Sequence, residues 1–415
     1  MIELATGISV DNPPVTKVNT RLLSLDALRG FDMFWIISGE EIFHGFAAAI
    51  KQKYSLVQDP ESWQIATDSR LSVLEKIMIG ISNQLHHSVW NGFTFYDLIF
   101  PLFIFIAGVS MPFSYARYLD GHEIKGKGTK RQIYVSLVKR TILLIVLGMV
   151  VNGLLKFPGY ENTRFASVLG RIALACFFAA LIYLNCSLKK QVIWFGVILL
   201  GYWAMMTLIP VPIYGNGIFT PAGNLSAFID RLLLPGKLHR QVYDPEGLLS
   251  TVPAVGTALL GVFTGQFLRT NVPINLEFTP ARKGVTMILG GIVMVVAGLL
   301  WDLLFPINKI MWTSSFVLFA GGLSLLVFSI FYLVIDVWGL KKWSQPLIWI
   351  GTNSILIYLA AHGFVNFQAS SEFIFGGLIN RTPDVLHHAL IWIGVLIIQL
   401  FLLRFLYLRK MFMKL

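Results

Sequence analysis

The chain has 415 residues, of which 55% are hydrophobic and only 13% charged, with a mean hydropathy of +0.69 and a formal net charge of +11. A soluble domain carries about 25% charged residues, so this composition excludes an ordinary soluble protein and specifies an all-α, polytopic membrane protein. The positive balance fits basic loops that set membrane orientation rather than nucleic-acid binding, and two cysteines in or beside an apolar span, Cys176 and Cys186, do not make a disulfide framework.

Residues 1–20 are polar and lack the apolar stretch of a signal peptide, so they read as a cytoplasmic tail and the first span as the targeting signal. Apolar stretches fall at 28–49, 96–116, 135–155, 166–184, 191–209, 250–268, 285–305, 313–335, 346–366 and 389–408. Each is close to the 17–25 residues that a ~30 Å hydrocarbon core demands, which predicts about ten transmembrane helices. With no internal repeat and no Gly/Ser- or Pro-rich linker, residues 1–415 read as one domain. Residues 51–85 include Pro60, Glu61 and Trp63 and a helical apolar pattern through Leu71, Leu74 and Ile77, which predicts an outer amphipathic segment at the interface. Residues 210–249 mix Gly, Pro and aromatics around one helical piece, 227–234, and read as an outer loop or lid.

Orientation follows from the cations. Placing the N-terminus inside puts Arg117, Lys125, Lys127, Lys130, Arg131, Lys139 and Arg140 on the cytoplasmic side. Lys189, Lys190, Arg282, Lys283, Lys341, Lys342, Arg409, Lys410 and Lys414 join them, and roughly 21 of the 33 Lys and Arg then lie inside. Both termini are expected to be cytoplasmic. His87, Asp97, Glu40, Glu41, Asp244, Glu246, Asn308 and His362 then all fall toward the outer face.

The most informative stretch is 86–115, where His86, His87, Trp90, Asn91 and Asp97 precede an apolar run broken by Pro101 and Pro112. Each proline frees the carbonyl four residues earlier, here those of Asp97 and Gly108, and non-helical backbone at depth survives only beside protein or a wet cavity. His87 can exchange a proton near neutrality, and Asp97 can fix its tautomer. The competing reading is that both satisfy the freed backbone. His86–His87 without a third ligand at a set spacing does not specify a metal. Glu40 and Glu41 are costly at bilayer depth, so one of them must face a wet cavity, pair with Arg164 or Arg171, or stay protonated, unless headgroup water solvates both. Asp26, Arg29 and Asp32 read as a structural turn at the membrane surface. Asp244 and Glu246 either line a site or cap the helix that follows, and Trp90 and Trp312 either stack on a sugar or belong to an interfacial aromatic belt. Nucleophile-elbow, Walker A and Rossmann signatures are missing from the sequence.

The blocks RLLSLDALRGFDMFW, HSVWNGFTFYDLIFPLFIFIAG, RFASVLGRIALA, FIDRLLLPG, YDPEGLLSTVPAVGTALLGVFTG, PINKIMWTSSFVLF and GTNSILIYL resemble successive blocks of one family. It is that of the heparan-α-glucosaminide N-acetyltransferases and their bacterial NagX-type relatives, and the likeness covers nearly the whole chain. The resemblance implies transfer of an acetyl group from cytosolic acetyl-CoA to the amine of a glucosamine-type sugar on the far side of the membrane, without a metal. It implies His87 as the catalytic histidine, three residues before the Trp90-Asn91-Gly92 motif, and Asp97 as its partner aspartate. The substrate-binding candidates are Glu40, at the position of a family asparagine, with Trp90, Asn91, Asp244, Glu246, Asn308 and His362. The lysosomal enzyme has a large luminal domain where this chain has only 51–85, which points to a smaller amino sugar in a bacterial periplasm, with the protein in the inner membrane. A homodimer is implied too. The alternative is an N-acetylglucosamine permease, a label that NagX-type proteins also carry.

Overall fold

The computed structural model describes residues 22–56, 69–115, 130–157, 159–270 and 279–413. The 1–20 tail, Pro60, Glu61, Trp63, Arg117, Lys125, Lys127 and Lys414 lie outside the described residues. The fold is all-helical, as its composition demands, with only isolated β-bridges among the described residues.

The first helix is continuous from 23 to 53, in three pieces: α1 (Leu23–Phe34), a π-helical turn (Trp35–Gly39) and α2 (Glu40–Lys53). α3 (Val73–Gln84) starts on a Ser72–Glu75 capping box, in which side chains satisfy the first free amides. Then come α4 (Phe95–Ser114), α5 (Lys130–Val151), α6 (Val168–Asn185), α7 (Leu188–Leu208), the short α8 (Leu225–Leu233) and α9 (Leu248–Arg269). The rest are α10 (Pro280–Asp302), α11 (Ser314–Phe331, prolonged by a π turn), α12 (Gln345–Thr352), α13 (Ser354–Leu359, also prolonged by a π turn), α14 (Phe367–Ile379) and α15 (His387–Leu408).

Among the described residues, eight helices are long and apolar enough to cross a membrane, and α12 with α13, bent by 75° at their junction, makes up to a ninth. The remaining expected span, 28–49, runs within the continuous 23–53 helix. It carries Arg29, Asp32, Glu40 and Glu41 and is not apolar enough to count with the others. α5, α7 and α10 turn apolar side chains such as Ile142, Ile193 and Val293 outward, as lipid-facing helices do. α14 has no counterpart among the expected spans; it is short and leaves Phe373 91% exposed.

Close helix crossings build the interior. Without a hydrophobic drive between helices in lipid, association relies on small residues that let backbones touch. A Cβ on Gly108 of α4 would meet the Ala258 carbonyl of α9, and one on Gly261 or Gly265 of α9 would meet the Phe105 or Val109 carbonyl of α4. Gly30 of α1 and Gly351 of α12 seal a second crossing in the same way, against the Leu347 and Asp26 backbones. α4 stays one helix through Pro101 and Pro112, with the Pro112 carbonyl accepting from Arg269 Nη1 at 2.9 Å. The described ends, Leu22 and Met413, line one common cavity, so they lie at the same end of the bundle.

Candidate active site

The site forms where α4 begins. Thr94 and Asp97 make a capping box, so the Asp97 carboxylate is locked as soon as the helix starts. Its Oδ2 accepts from the Ser88 amide at 3.1 Å and from the Thr94 amide and hydroxyl, both at 3.2 Å. Its Oδ1 lies 2.9 Å from His87 Nδ1. The aspartate is fully buried, whereas the His87 side chain is 52% exposed. With Nδ1–H donating to Asp97, Nε2 is left to present its lone pair.

The loop that carries His87 is clasped to the turn between α10 and α11. Gly92, at φ +106° where only glycine is comfortable, donates its amide to the Ile307 carbonyl at 2.9 Å. Asn308 Nδ2 donates to the Trp90 carbonyl at 2.7 Å and to Asn91 Oδ1 at 3.1 Å. Asn308 Oδ1 in turn accepts from the Met311 amide. This clasp delivers Lys309: its ammonium stands 2.9 Å from His87 Nδ1, 3.2 Å from Nε2 and 3.5 Å from Asp97 Oδ1. Burial pushes the Lys309 pKa down, opposed by the Asp97 charge. Lys309, next to the sequence candidate Asn308, is not among the residues that the sequence singles out. A cation in a short loop between two apolar spans was the available signal.

A cavity of about 250 Å³ opens beside these groups, lined by His87, Lys309, Glu246, Tyr96, Tyr358 and His362 and otherwise by apolar side chains. Glu246 is held by Arg164, which also grips Asp244 in a bidentate pair at 2.6 and 2.8 Å. Burial disfavours the charged Asp244, but Arg164 and the Glu246 and His239 amides outweigh it, and its pKa lies below the usual carboxylate value. Asp244 itself does not line the cavity. Nor does it cap α9; Asp230 Oδ1 does, accepting from the Leu248 amide at 2.9 Å. Trp90 also points away, with Nε1 donating to the Phe219 carbonyl at 2.7 Å and its ring edge-on to Tyr243. Trp312 is buried under the Arg171 guanidinium. His362 stacks on Tyr358 at the cavity wall.

Glu40 and Glu41 meet histidines rather than Arg164 or Arg171: Glu40 stands 3.6 Å from His44 Nε2 and Glu41 3.6 Å from His388 Nε2. Glu40 also interacts with Tyr96, whose ring is 4.8 Å from that of His87. His86 turns the other way and stacks on His44 at 4.1 Å.

A second cavity, of about 580 Å³, lies at the far end of the bundle and includes Asp26, Arg29, Ser110, Arg140 and Asn353. A line of residues along each of three helices runs through both cavities. On α4, Tyr96, Ile99 and Phe100 line the first, Ala107, Ser110 and Ser114 the second, and Phe103 both. On α1, Asp26 and Arg29 give way to Met33 followed by Ile36. Along α12–α13, Gly351 and Ser354 give way to Tyr358 and His362, with Ile355 shared. On α4 and along the first helix these i, i+3, i+4 spacings are single helix faces; along α12–α13 the line crosses the 75° bend.

The family model for the catalytic part of heparan-alpha-glucosaminide N-acetyltransferase matches residues 73–293, just over half of the chain. The heparan-alpha-glucosaminide N-acetyltransferases of Homo sapiens and Mus musculus are 28% and 29% identical to it over 332 residues, covering 68% of this chain and 49% of each of those proteins. The chain spans about half the length of the curated relatives it matches.

Proposed function

This chain belongs to the heparan-alpha-glucosaminide N-acetyltransferase catalytic family, and on that premise we propose that it transfers the acetyl group of acetyl-CoA to the amine of a glucosamine-type sugar. The donor enters from the cytoplasmic side of a bacterial inner membrane and the acceptor from the periplasmic side. The observation that carries this reading is the His87–Asp97–Lys309 arrangement at the mouth of a largely apolar cavity.

An acceptor amine is protonated in water and attacks only as the free base. As its nitrogen bonds to the thioester carbonyl carbon, His87 Nε2 takes the N–H proton. The C–S bond then breaks, and the sulfur leaves with that proton as the thiol. Asp97 holds the ring in the tautomer that leaves Nε2 unprotonated and balances the charge that the ring acquires. Lys309 provides a cation beside the carbonyl oxygen as that oxygen becomes negative. In a two-step version, the Nε2 lone pair attacks the thioester carbonyl carbon, and the C–S bond breaks to release CoA thiolate. The amine then takes the acetyl group, its N–H proton passes to that thiolate or to solvent, and Nε2 regains its lone pair. Arg29 and Arg140, in the far cavity, suit the phosphates of CoA. Glu246 offers its carboxylate to the ammonium or hydroxyls of the sugar, and Glu40 acts on the acceptor from behind Tyr96.

The test is made with purified protein in proteoliposomes and labelled substrates. Transfer predicts free CoA on the donor side when glucosamine is offered on the other. Uptake of labelled N-acetylglucosamine with no thiol release, across a panel of amino sugars, would instead identify a permease.

A further inference from the structure

The two cavities meet at Phe103 of α4 and Ile355 of α13, which line both. Phe103 lies midway along the 20-residue α4, and the helix face on either side of it is already committed to one cavity or the other. Phe103 also packs against both of the larger core clusters, the main one and the one centred on Met33, Ile37, Ile350 and Ile357. The line joining the cavities therefore runs along the seam between two packed bodies.

Ile355 sits two residues beyond Asn353, where the helix bends by 75°. The Asn353 side chain grips the backbone near the C-terminus from both sides, Nδ2 donating to the Met411 carbonyl at 3.1 Å and Oδ1 accepting from the Met413 amide at 3.0 Å. The bend is thus held by a polar clamp, and Ile355 follows it directly.

We propose that Phe103 and Ile355 form a septum that decides what passes between the two cavities. It admits a slender, flexible acyl-thioester arm and keeps water, protons and the bulkier acceptor sugar from crossing. Both side chains are apolar, so the septum itself offers nothing to hold water, and small apolar gaps stay dry. An arm lying between the side chains would fill the passage itself, and the path would stay sealed while the donor is bound. This assignment rests on the acetyl-transfer reading for the identity of the arm. The barrier itself does not depend on that reading.

The experiment uses the full chain in proteoliposomes with an entrapped pH-sensitive dye, and needs no substrate for its first arm. After a pH step, wild-type vesicles should hold the gradient as protein-free vesicles do. Vesicles containing Phe103→Ala/Ile355→Ala should lose it at least about tenfold faster, and acetyl-CoA on the donor side should slow that loss. If the double variant is too unstable to purify, Ile355→Ala alone is read in the same way. In the second arm, Ile355→Trp should lower kcat/KM for acetyl-CoA by at least about tenfold while leaving the melting temperature and the tight seal unchanged, since the loss is in donor passage. A folded alanine variant that holds the gradient, or a tryptophan variant with unaltered kcat/KM, would overturn the septum. A leak in the alanine variant alongside a wild type that transfers no acetyl group would count against the transferase and leave the barrier standing.

Discussion

The ammonium of Lys309 lies 2.9 Å from Nδ1 of His87, 222 residues earlier in the chain, and 3.5 Å from the carboxylate that orients the imidazole. The contact exists because Asn308 and Gly92 clasp two loops together. A cation largely withdrawn from water costs solvation; in the proposed transfer it meets the charge that develops on the carbonyl oxygen.

Replacing Lys309 should therefore affect the rate more than binding. Lys309→Met is expected to lower kcat by about 10²–10³-fold, the range for loss of one oxyanion donor, with donor and acceptor KM little changed. Because burial lowers the Lys309 pKa, activity should fall on the alkaline side as the lysine loses its charge, at a pH below that of an ordinary lysine. Lys309→Arg should move that limb upward. Steady-state kinetics across pH check both expectations.

Glu40 does not line the cavity but reaches its wall through Tyr96, and in the proposed function it acts on the acceptor from there. Glu40→Gln is expected to raise the acceptor KM more than the donor KM. An unchanged acceptor KM would confine Glu40 to holding α2 against its neighbours.

Two buried acids near α9 should respond to pH in opposite senses. Burial raises the Asp230 pKa to about 6. The folded state therefore binds its proton more tightly than the unfolded chain, and stability from this group grows as pH falls from about 6 to about 4. Asp230→Asn should keep the acceptor for the Leu248 amide and raise the melting temperature at neutral pH. Asp244 has the lowered pKa of a paired carboxylate. Its contribution is present above about pH 4 and is lost as pH falls through the folded value. Asp244→Asn should lower the melting temperature, by less than the loss of a whole buried pair because Arg164 keeps Glu246.

Asp32 is fully buried in α1, and neither of its carboxylate oxygens has a hydrogen-bond partner. An isosteric amide removes the charge without changing the shape, so Asp32→Asn should leave the melting temperature unchanged or raise it. A clear fall would show that the carboxylate has a partner of its own.

Much of this was legible in the sequence, for identifiable reasons. Long apolar runs in a chain with few charges read as membrane helices, and the clustering of His87 and Asp97 at the start of one of them marks the candidate site. Neighbours in three dimensions were harder to read. Lys309 reaches His87 only through a clasp between distant loops, and Asp244 pairs with Arg164 rather than facing the cavity. Asn308 and Trp90 are sugar-binding candidates by residue type, with an interfacial belt as the alternative for Trp90; the structure adds that Asn308 Nδ2 and Trp90 Nε1 tie loops together. The bend at Asn353 left no proline or glycine at that residue to betray it. It depends on an amide that meets the end of the chain.

Direct attack and the two-step route part on one observation. Wild-type protein given acetyl-CoA and no acceptor should release one equivalent of CoA and keep the acetyl group if His87 is the carrier, and should release none if the amine attacks directly.

The most direct measurement of the central claim is single-turnover and steady-state acetyl transfer by His87→Ala, with acetyl-CoA binding and melting temperature measured on the same preparation. Removing the imidazole should lower kcat by about 10²–10⁴-fold, the usual worth of a positioned base, while the protein folds and binds acetyl-CoA as before. Asp97→Asn should show a serious and smaller loss, because it keeps the shape and weakens the base. His87→Ala with near-normal turnover would contradict the account and move the chemistry to Glu40, Glu246 or His362.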